Sequence, residues 1–395
     1  MRTTEIGRDT HTVTLLGNGR IVTPDAVLDP GWIEVDGNRI AGLGAGTPPR
    51  PPDRDLAGHT VVPGFVDTHV HGGGGATYAA ATADDAARVA AFHLSQGTTT
   101  TFASLVSTTA EALEHQVAVY ADLVRDGAVA GVHLEGPWLS EVRRGAHDPS
   151  VLRPPAREEV ARLLELGRGT IRMVTLAPEL AGGLDAVRQV IDAGAVVAVG
   201  HSDAAYDVVI AAIEAGASVG THLFNGMPPL HHRAPGPVGA LLEDERVTVE
   251  LIADGIHLHA TTVGLAVRAA GVDRVSLVTD AMAAAGVGDG VYGLGGRTVE
   301  VVDGVARLAG GGSIAGSTLS MAGAFRFAVH NVGLPLETAA RMAATTPART
   351  FGLADVGALR PGLRADLVEL DAALEVVRVM RGGAWVAGQP AEAVV

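Results

Sequence analysis

Apolar residues fall along this chain in two regimes. From Arg20 to Gly44 apolar and polar positions alternate, and Ile33–Ile40 predicts two short strands around an Asp36-Gly37-Asn38 turn. Pro48 to Pro52 makes a proline-rich break, after which the pattern changes to short apolar runs separated by alanine-rich stretches with helical spacing. The runs predict strands over Val61–Thr68, Thr99–Ala103, Ala130–Leu134, Ile171–Leu176, Val196–Val199, Ser218–His222, Thr248–Ile252 and Val275–Thr279, with helices such as Asp84–Gln96 and Thr109–Arg125 between them. Eight buried strands alternating with helices predict an α/β chain built on a TIM-like (β/α)8 barrel. Beyond the eighth strand, Arg297–Leu308 reads as a hairpin turning at Asp303-Gly304, and Pro361–Val368 as a strand able to complete the N-terminal sheet. The expected organisation is a catalytic barrel over 63–349 and a small, discontinuous β-sandwich domain drawn from both termini, 1–62 and 350–395.

Composition narrows the chemistry. The chain has 395 residues, of which 47% are hydrophobic, enough for a large core. Its formal charge of -15 argues against nucleic acid or an anionic membrane as partner, since both require a basic footprint. No apolar run reaches membrane-span length and Met1–Thr10 has no apolar signal core, so a cytoplasmic protein is expected. Cysteine is absent, which removes disulfides, thiolate metal sites and cysteine nucleophiles. All 29 basic residues are arginine, so a lysine Schiff base and a carboxylated lysine bridging two metals are both excluded.

What remains is His, Asp and Glu, and these close the apolar runs. His69 and His71, in VDTHVHGGGG, stand at alternate positions of a strand end and leave the sheet side by side. Glu135 ends GVHLE before a Gly136-Pro137 turn, His201 follows VVAVG, His222 follows ASVGT, and Asp280 follows SLVT. Imidazole and carboxylate at the C-terminal ends of barrel strands suit a divalent metal with an open position, and Asp280 suits a general base acting on water. His133 points the same way as Glu135 along its strand, which predicts a supporting role. His11, His59, His93, His115 and His330 lie away from strand ends and are expected at the surface or on helices. His231, His232 and His259 receive no role.

The segments VPGFVDTHVHG, GVHLEGPW with Gly145-Ala146-His147, VGHSDA, GTHLFNGMPPLHHRAPG, LIADGIHLH, LVTDAM, AGSTLSM and PGLRADLV span essentially the whole chain. In these the sequence resembles the amidohydrolase superfamily, and within it the family of N-acetylglucosamine-6-phosphate deacetylases. The resemblance implies hydrolysis of N-acetyl-D-glucosamine 6-phosphate to glucosamine 6-phosphate and acetate, in amino-sugar catabolism and cell-wall sugar recycling. It implies that Glu135, His201 and His222 hold one divalent metal. With His69 and His71 present, a second ion is expected, bridged by Glu135 and touched by Asp280. Zinc is the first expectation, with iron, manganese and cobalt open, one or two ions per subunit. Asp280 and His147 are implied as catalytic, and Gly136, His147, Asn225, Gly226, Arg233 and His257 as contacts of the phosphorylated amino-sugar substrate. By the same resemblance Arg233 and His257 reach a neighbouring subunit, making a homodimer or dimer-based oligomer the expected state. The alternatives are another N-acetylhexosamine phosphate and a D-aminoacylase-like amide.

Overall fold

The computed structural model describes residues 13–310 and 312–386. The expectations for Met1–Thr10, for His11 and for the last nine residues lie outside these. Eight parallel strands follow one another in chain order around a barrel: β1 Phe65–Asp67, β2 Thr98–Val106, β3 Gly131–Glu135, β4 Ile171–Leu176, β5 Val196–Val199, β6 Val219–Gly220, β7 Thr248–Ile252 and β8 Val275–Val278. All eight are almost wholly buried, as parallel strands covered by helices must be. The covering helices begin as their sequences dictate. In α1, Ala83–Ser95, the Thr82 hydroxyl accepts from the Asp85 N–H, with Asp84 and Asp85 in the positive first turn. In α2, Ala110–Arg125, Thr109 does the same for Ala112.

The first expected strand, Val61–Thr68, divides between two sheets. Thr60–Pro63 pairs with Leu367–Leu370, and only Phe65–Asp67 enters the barrel. Gly64 is the division: an ideal Cβ there would lie 2.3 Å from Thr99 Oγ1, so only glycine lets the chain cross this close to β2. The sixth strand is also shorter than expected, because the chain leaves the extended conformation at His222.

Strands from both ends of the described chain form one eight-stranded sheet. It folds over its own core of Leu16, Ile33, Ile40, Val61, Leu367 and Met380. The edge strand Arg39–Ala45 returns to the 363–365 segment, with Ile40 N–H donating to Leu363 O at 2.9 Å. The hairpin expected over Arg297–Leu308 is the larger part of a three-stranded sheet, Gly290–Leu294, Arg297–Val302 and Val305–Leu308. Its turn has Asp303 and Gly304 at φ 52° and 74°, the paired left-handed residues of a type I′ turn.

Barrel closure between β8 and β1 is made just beyond the strand ends. Asp280 N–H donates to His69 O and His71 N–H to Ala281 O, both at 2.9 Å. The buried Asp67 carboxylate reinforces this seam by accepting from Thr279 Oγ1 at 2.6 Å and Thr279 N at 3.3 Å.

His93 differs from the surface expectation: it lies on α1 but is wholly buried, its Nε2–H donating to Gly72 O at 2.9 Å. Burial pulls its pKa down to about 4. The unfolded chain, titrating near 6.5, therefore binds more protons between those values, and folding stability falls as pH drops from about 6.5 to 4, by up to about 1.4 kcal/mol per unit. His93→Gln keeps a donor for Gly72 and has no such proton. Urea unfolding from pH 4.5 to 7 is expected to show a shallower acid slope in the variant, and equal slopes would refute this account.

Candidate active site and metal centre

Glu135, at the end of β3, is the focus of the site. Its carboxylate is 3 % exposed and lies within 3.4 Å of five imidazoles. Oε1 faces the Nε2 atoms of His201 and His222 at 3.1 Å and of His69 at 3.4 Å; Oε2 faces His71 at 3.2 Å and His147 at 3.4 Å. Asp280 Oδ1 joins from the seam, 3.1 Å from His71 Nε2 and 3.6 Å from His69 Nε2. Two overlapping donor sets result, His69, His71 and Asp280 on one side and Glu135, His147 and His201 on the other, with His222 beside the second.

The backbone delivers these groups at a conformational cost. His201, His222 and Asp280 each sit two residues past a strand end with φ of 48°, 27° and 50°. The left-handed region costs a non-glycine residue about 1–2 kcal/mol, and such residues cluster where surrounding structure over-determines a functional geometry.

The imidazole hydrogen bonds fit a cation. His201 Nδ1–H donates to Arg143 O at 2.8 Å, His71 Nδ1–H to Ser104 O at 3.1 Å, and His69 Nδ1–H to Glu250 Oε2 at 3.2 Å. Each outward donor leaves its Nε2 as the inward lone pair. The Nε2 atoms stand 3.2 Å apart in His69 and His71 and 3.0 Å apart in His201 and His222. Two ligand atoms at about 2.0–2.1 Å from a tetrahedral ion stand about 3.3 Å apart, so the spacing is close to that of a ligand pair. Lysine plays no part, and Glu135 alone occupies the position between the two sets.

Without a cation the carboxylates draw protons instead. Burial lowers the His71 pKa, but hydrogen bonds to Asp280 and Glu135 outweigh it and hold the group up at about 9; His69 is raised likewise. Burial raises Asp280, yet the His71 bond and the charges of His69 and His71 keep it down at about 2. His147 is lowered by burial and stays neutral. His133 lies beneath His69, ring centroids 4.6 Å apart, with Nδ1 on Ser104 Oγ at 2.9 Å and Nε2 on Thr175 Oγ1 at 2.8 Å. Burial and the neighbouring imidazoles hold it far below its ordinary pKa, so it supports His69 without competing for protons.

Above the cluster opens a cavity of about 350 Å³, lined by His71, Glu135, His147, His201, His222 and Asp280 at its base and by Asn225, Gly226 and His257 on its wall. The three-stranded sheet contributes Leu294 and Gly295, and the segment after it Ser313 and Ile314. Two expected substrate contacts stand apart. Gly136 does not line the cavity; its N–H is donated to Thr175 O at 3.1 Å, and at φ 81° it turns the chain away from β3. Arg233 is exposed on the loop before the helix Gly236–Glu243, outside the lining of its own chain's cavity. Glu250 and Asp67 escape sequence reading. Glu250, 1 % exposed in the middle of β7, holds the His69 ring and accepts from Thr68 Oγ1 and His222 N at 3.4 Å. Its only sequence signal is a carboxylate inside the apolar run TVELI.

A parallel barrel that gathers histidines and carboxylates at the C-terminal ends of its strands, around cation-sized gaps under an open cavity, is a metal-dependent hydrolase. The chain belongs to the amidohydrolase family, whose model matches residues 60–386. It is 39% identical over 373 residues to the N-acetylgalactosamine-6-phosphate deacetylase of Escherichia coli O157:H7, covering 92% of this chain and 96% of that one. It is 36% identical over 334 residues to the N-acetylglucosamine-6-phosphate deacetylase of Vibrio furnissii, covering 83% and 82% respectively. A solved structure of the Mycobacterium smegmatis N-acetyl-D-glucosamine-6-phosphate deacetylase superposes with a TM-score of 0.93 at 51% identity, over 95% of this chain and 99% of that one. It is an aspartate-to-alanine variant in complex with N-acetyl-D-glucosamine 6-phosphate.

Two outcomes follow from the geometry. Glu250→Gln is expected to weaken ion binding at the His69, His71 and Asp280 set by about 10–100-fold. The Glu135, His201 and His222 set should keep its affinity, read by calorimetric titration of chelator-stripped protein. Loss at both sets, or at neither, would contradict the role of Glu250. Loading at pH 7.5 should also release about one to two protons per chain, because His69 and His71 are protonated when no ion is bound. An indicator dye in weak buffer measures this, and absence of release would overturn the assignment of both imidazoles.

Proposed function

We propose that the chain hydrolyses the acetamide of N-acetyl-D-glucosamine 6-phosphate, releasing acetate and D-glucosamine 6-phosphate, with one or two divalent ions held by the donor sets above, zinc first among the candidates. The observation that carries this reading is the Glu135-centred cluster beneath a cavity whose wall holds Asn225, Gly226 and His257. An ion bound there supplies positive charge that polarises the acetamide carbonyl and acidifies water.

The chain's own groups then divide the work. Asp280, ionised at neutral pH, takes a proton from the attacking water at a carboxylate oxygen and later returns it to the departing amine, acting as base and then acid. Neutral His147 turns its Nε2 toward the Glu135 carboxylate at the base of the cavity, 3.4 Å from Oε2, and in the tautomer protonated at Nε2 it donates to the acetamide oxygen as negative charge develops. His257, its Nδ1 bonded to Asp254 Oδ2 at 2.7 Å, presents Nε2 to the substrate within its own chain.

Arg233 is assigned to a second copy. It sits on an exposed loop with His231, His232 and the apolar Leu230, away from its own cavity. That placement supports a homodimer in which Arg233 reaches the partner's substrate. Among the described residues no helix is long and apolar enough to cross a membrane.

Asp280→Asn is expected to retain an ion at the Glu135 side and to lose activity by about 10²–10⁴-fold. Near-normal turnover would reject Asp280 as the proton carrier. Acetate release from N-acetylglucosamine 6-phosphate, its galactosamine epimer and the unphosphorylated sugar tests the substrate directly. Strong release confined to phosphorylated sugars is expected, and release from none of them by metal-loaded protein would move the reaction to another acylated amine.

A further inference from the structure

A phosphorylated substrate asks for positive charge, and the cavity has one permanent source of it. Its lining carries histidines and two carboxylates, and among the described residues Arg143 is the only arginine in it. Arg143 closes a short 3-10 turn, Glu141–Arg143, in the long connection after β3. Its main chain is pinned at both ends. The N–H donates to Ser140 O at 3.0 Å, and the carbonyl accepts from His201 Nδ1 at 2.8 Å.

The side chain is set by a single bond, Nε to Asp203 Oδ1 at 2.7 Å. A guanidinium carries further N–H groups on both Nη nitrogens, and these have no partner among the described residues. The free edge is the fork that matches phosphate oxygens. At 31% exposure the side chain is neither sealed in the core nor fully solvated.

Its surroundings suit an anion. The turn bearing Gly226 packs on this segment, so that an ideal Cβ on Gly226 would lie 3.2 Å from Arg143 O. The Gly226 N–H has no partner among the described residues and adds a backbone donor beside the Arg143 segment. The lining of one cavity therefore includes Arg143, a glycine with a free amide and His257.

We propose that Arg143 is a specificity-determining residue: its Nη edge binds the substrate phosphate from within the same chain, and Asp203 positions it. This rests on the reading of the substrate as a phosphorylated amino sugar. Arg233 of a second copy would complete the clamp from outside, whereas Arg143 supplies its permanent charge from inside.

The test compares metal-loaded wild type, Arg143→Gln and Arg143→Lys on N-acetylglucosamine 6-phosphate and on unphosphorylated N-acetylglucosamine. In Arg143→Gln the KM for the phosphorylated sugar should rise about tenfold or more, with kcat within about threefold. kcat/KM for the unphosphorylated sugar should hold within about twofold, and Arg143→Lys should recover part of the loss. Equal losses on both sugars would mean that Arg143 acts only through His201, and no loss on either would mean that it is idle; both overturn the proposal. Calorimetry with inorganic phosphate separates this from the substrate reading. If wild type shows no preference for the phosphorylated sugar, that reading fails, yet weaker phosphate binding by Arg143→Gln would still sustain the contact, and equal binding would refute it.

Discussion

A carboxylate buried at the centre of a barrel cannot stay ionised without positive charge beside it, and Glu135 is the constraint around which this site is built. Five imidazoles surround it within hydrogen-bonding or near-contact distance, and three of them, His69, His71 and His201, are held from behind by acceptors of the chain. The charge is met by protons on His69 and His71 or by a bound cation, and the lone pairs turned inward by Arg143 O, Ser104 O and Glu250 favour the cation. The absence of lysine strengthens this dependence, since no carbamate can share the bridging position.

Closing the barrel and assembling the site are the same event. The β1–β8 seam is held by backbone bonds between His69 and Asp280 and between His71 and Ala281, so three ionisable side chains of the site sit on the residues that complete the cylinder. Asp67 and Thr279 reinforce that seam from below. The left-handed turns at His201, His222 and Asp280 belong to the same logic. An extended residue would continue along the strand, whereas a positive φ swings the side chain over the barrel mouth. The strain is tolerated because the strands that precede these residues are buried and paired within the barrel sheet.

Substrate selection is carried by a different layer. The deep cluster comes from strand ends, but the cavity walls come from connections: the 136–148 segment after β3, the 224–226 turn after β6 and the small sheet over 290–308. Such segments set which acylated amine reaches the common hydrolytic base. Arg143 and Asn225 lie on these loops, as does the exposed Arg233, and discrimination among N-acetylated sugars is expected to reside there rather than in the imidazoles.

Local rules made much of this legible in the chain itself. Apolar runs of strand length, five of the eight closed by a histidine or carboxylate, identify the barrel and six of its central groups, because burial in a parallel sheet requires continuous hydrophobicity and a strand end is where a polar side chain can first reach the barrel mouth. The absence of lysine and cysteine restricted the ligand set before any geometry was known. Other features depend on contacts between segments distant in sequence. That Gly64 splits one apolar run between two sheets is decided by the approach of Thr99. That Glu250 grips His69 across 181 positions is invisible in TVELI, where it reads as a lone carboxylate. That His93 is buried rather than exposed follows from the fold of the glycine-rich segment after His71 onto α1, which brings Gly72 O to its ring. Gly136 and Arg233 resemble substrate contacts in sequence, yet within one chain the Gly136 amide is claimed by Thr175 and Arg233 lies on an exposed loop outside the cavity lining. Sequence determines which chemistry the chain can perform, through residue type and strand period; the tertiary structure decides which donors are free to perform it, because hydrogen-bond partners are shared across the fold and not along the chain.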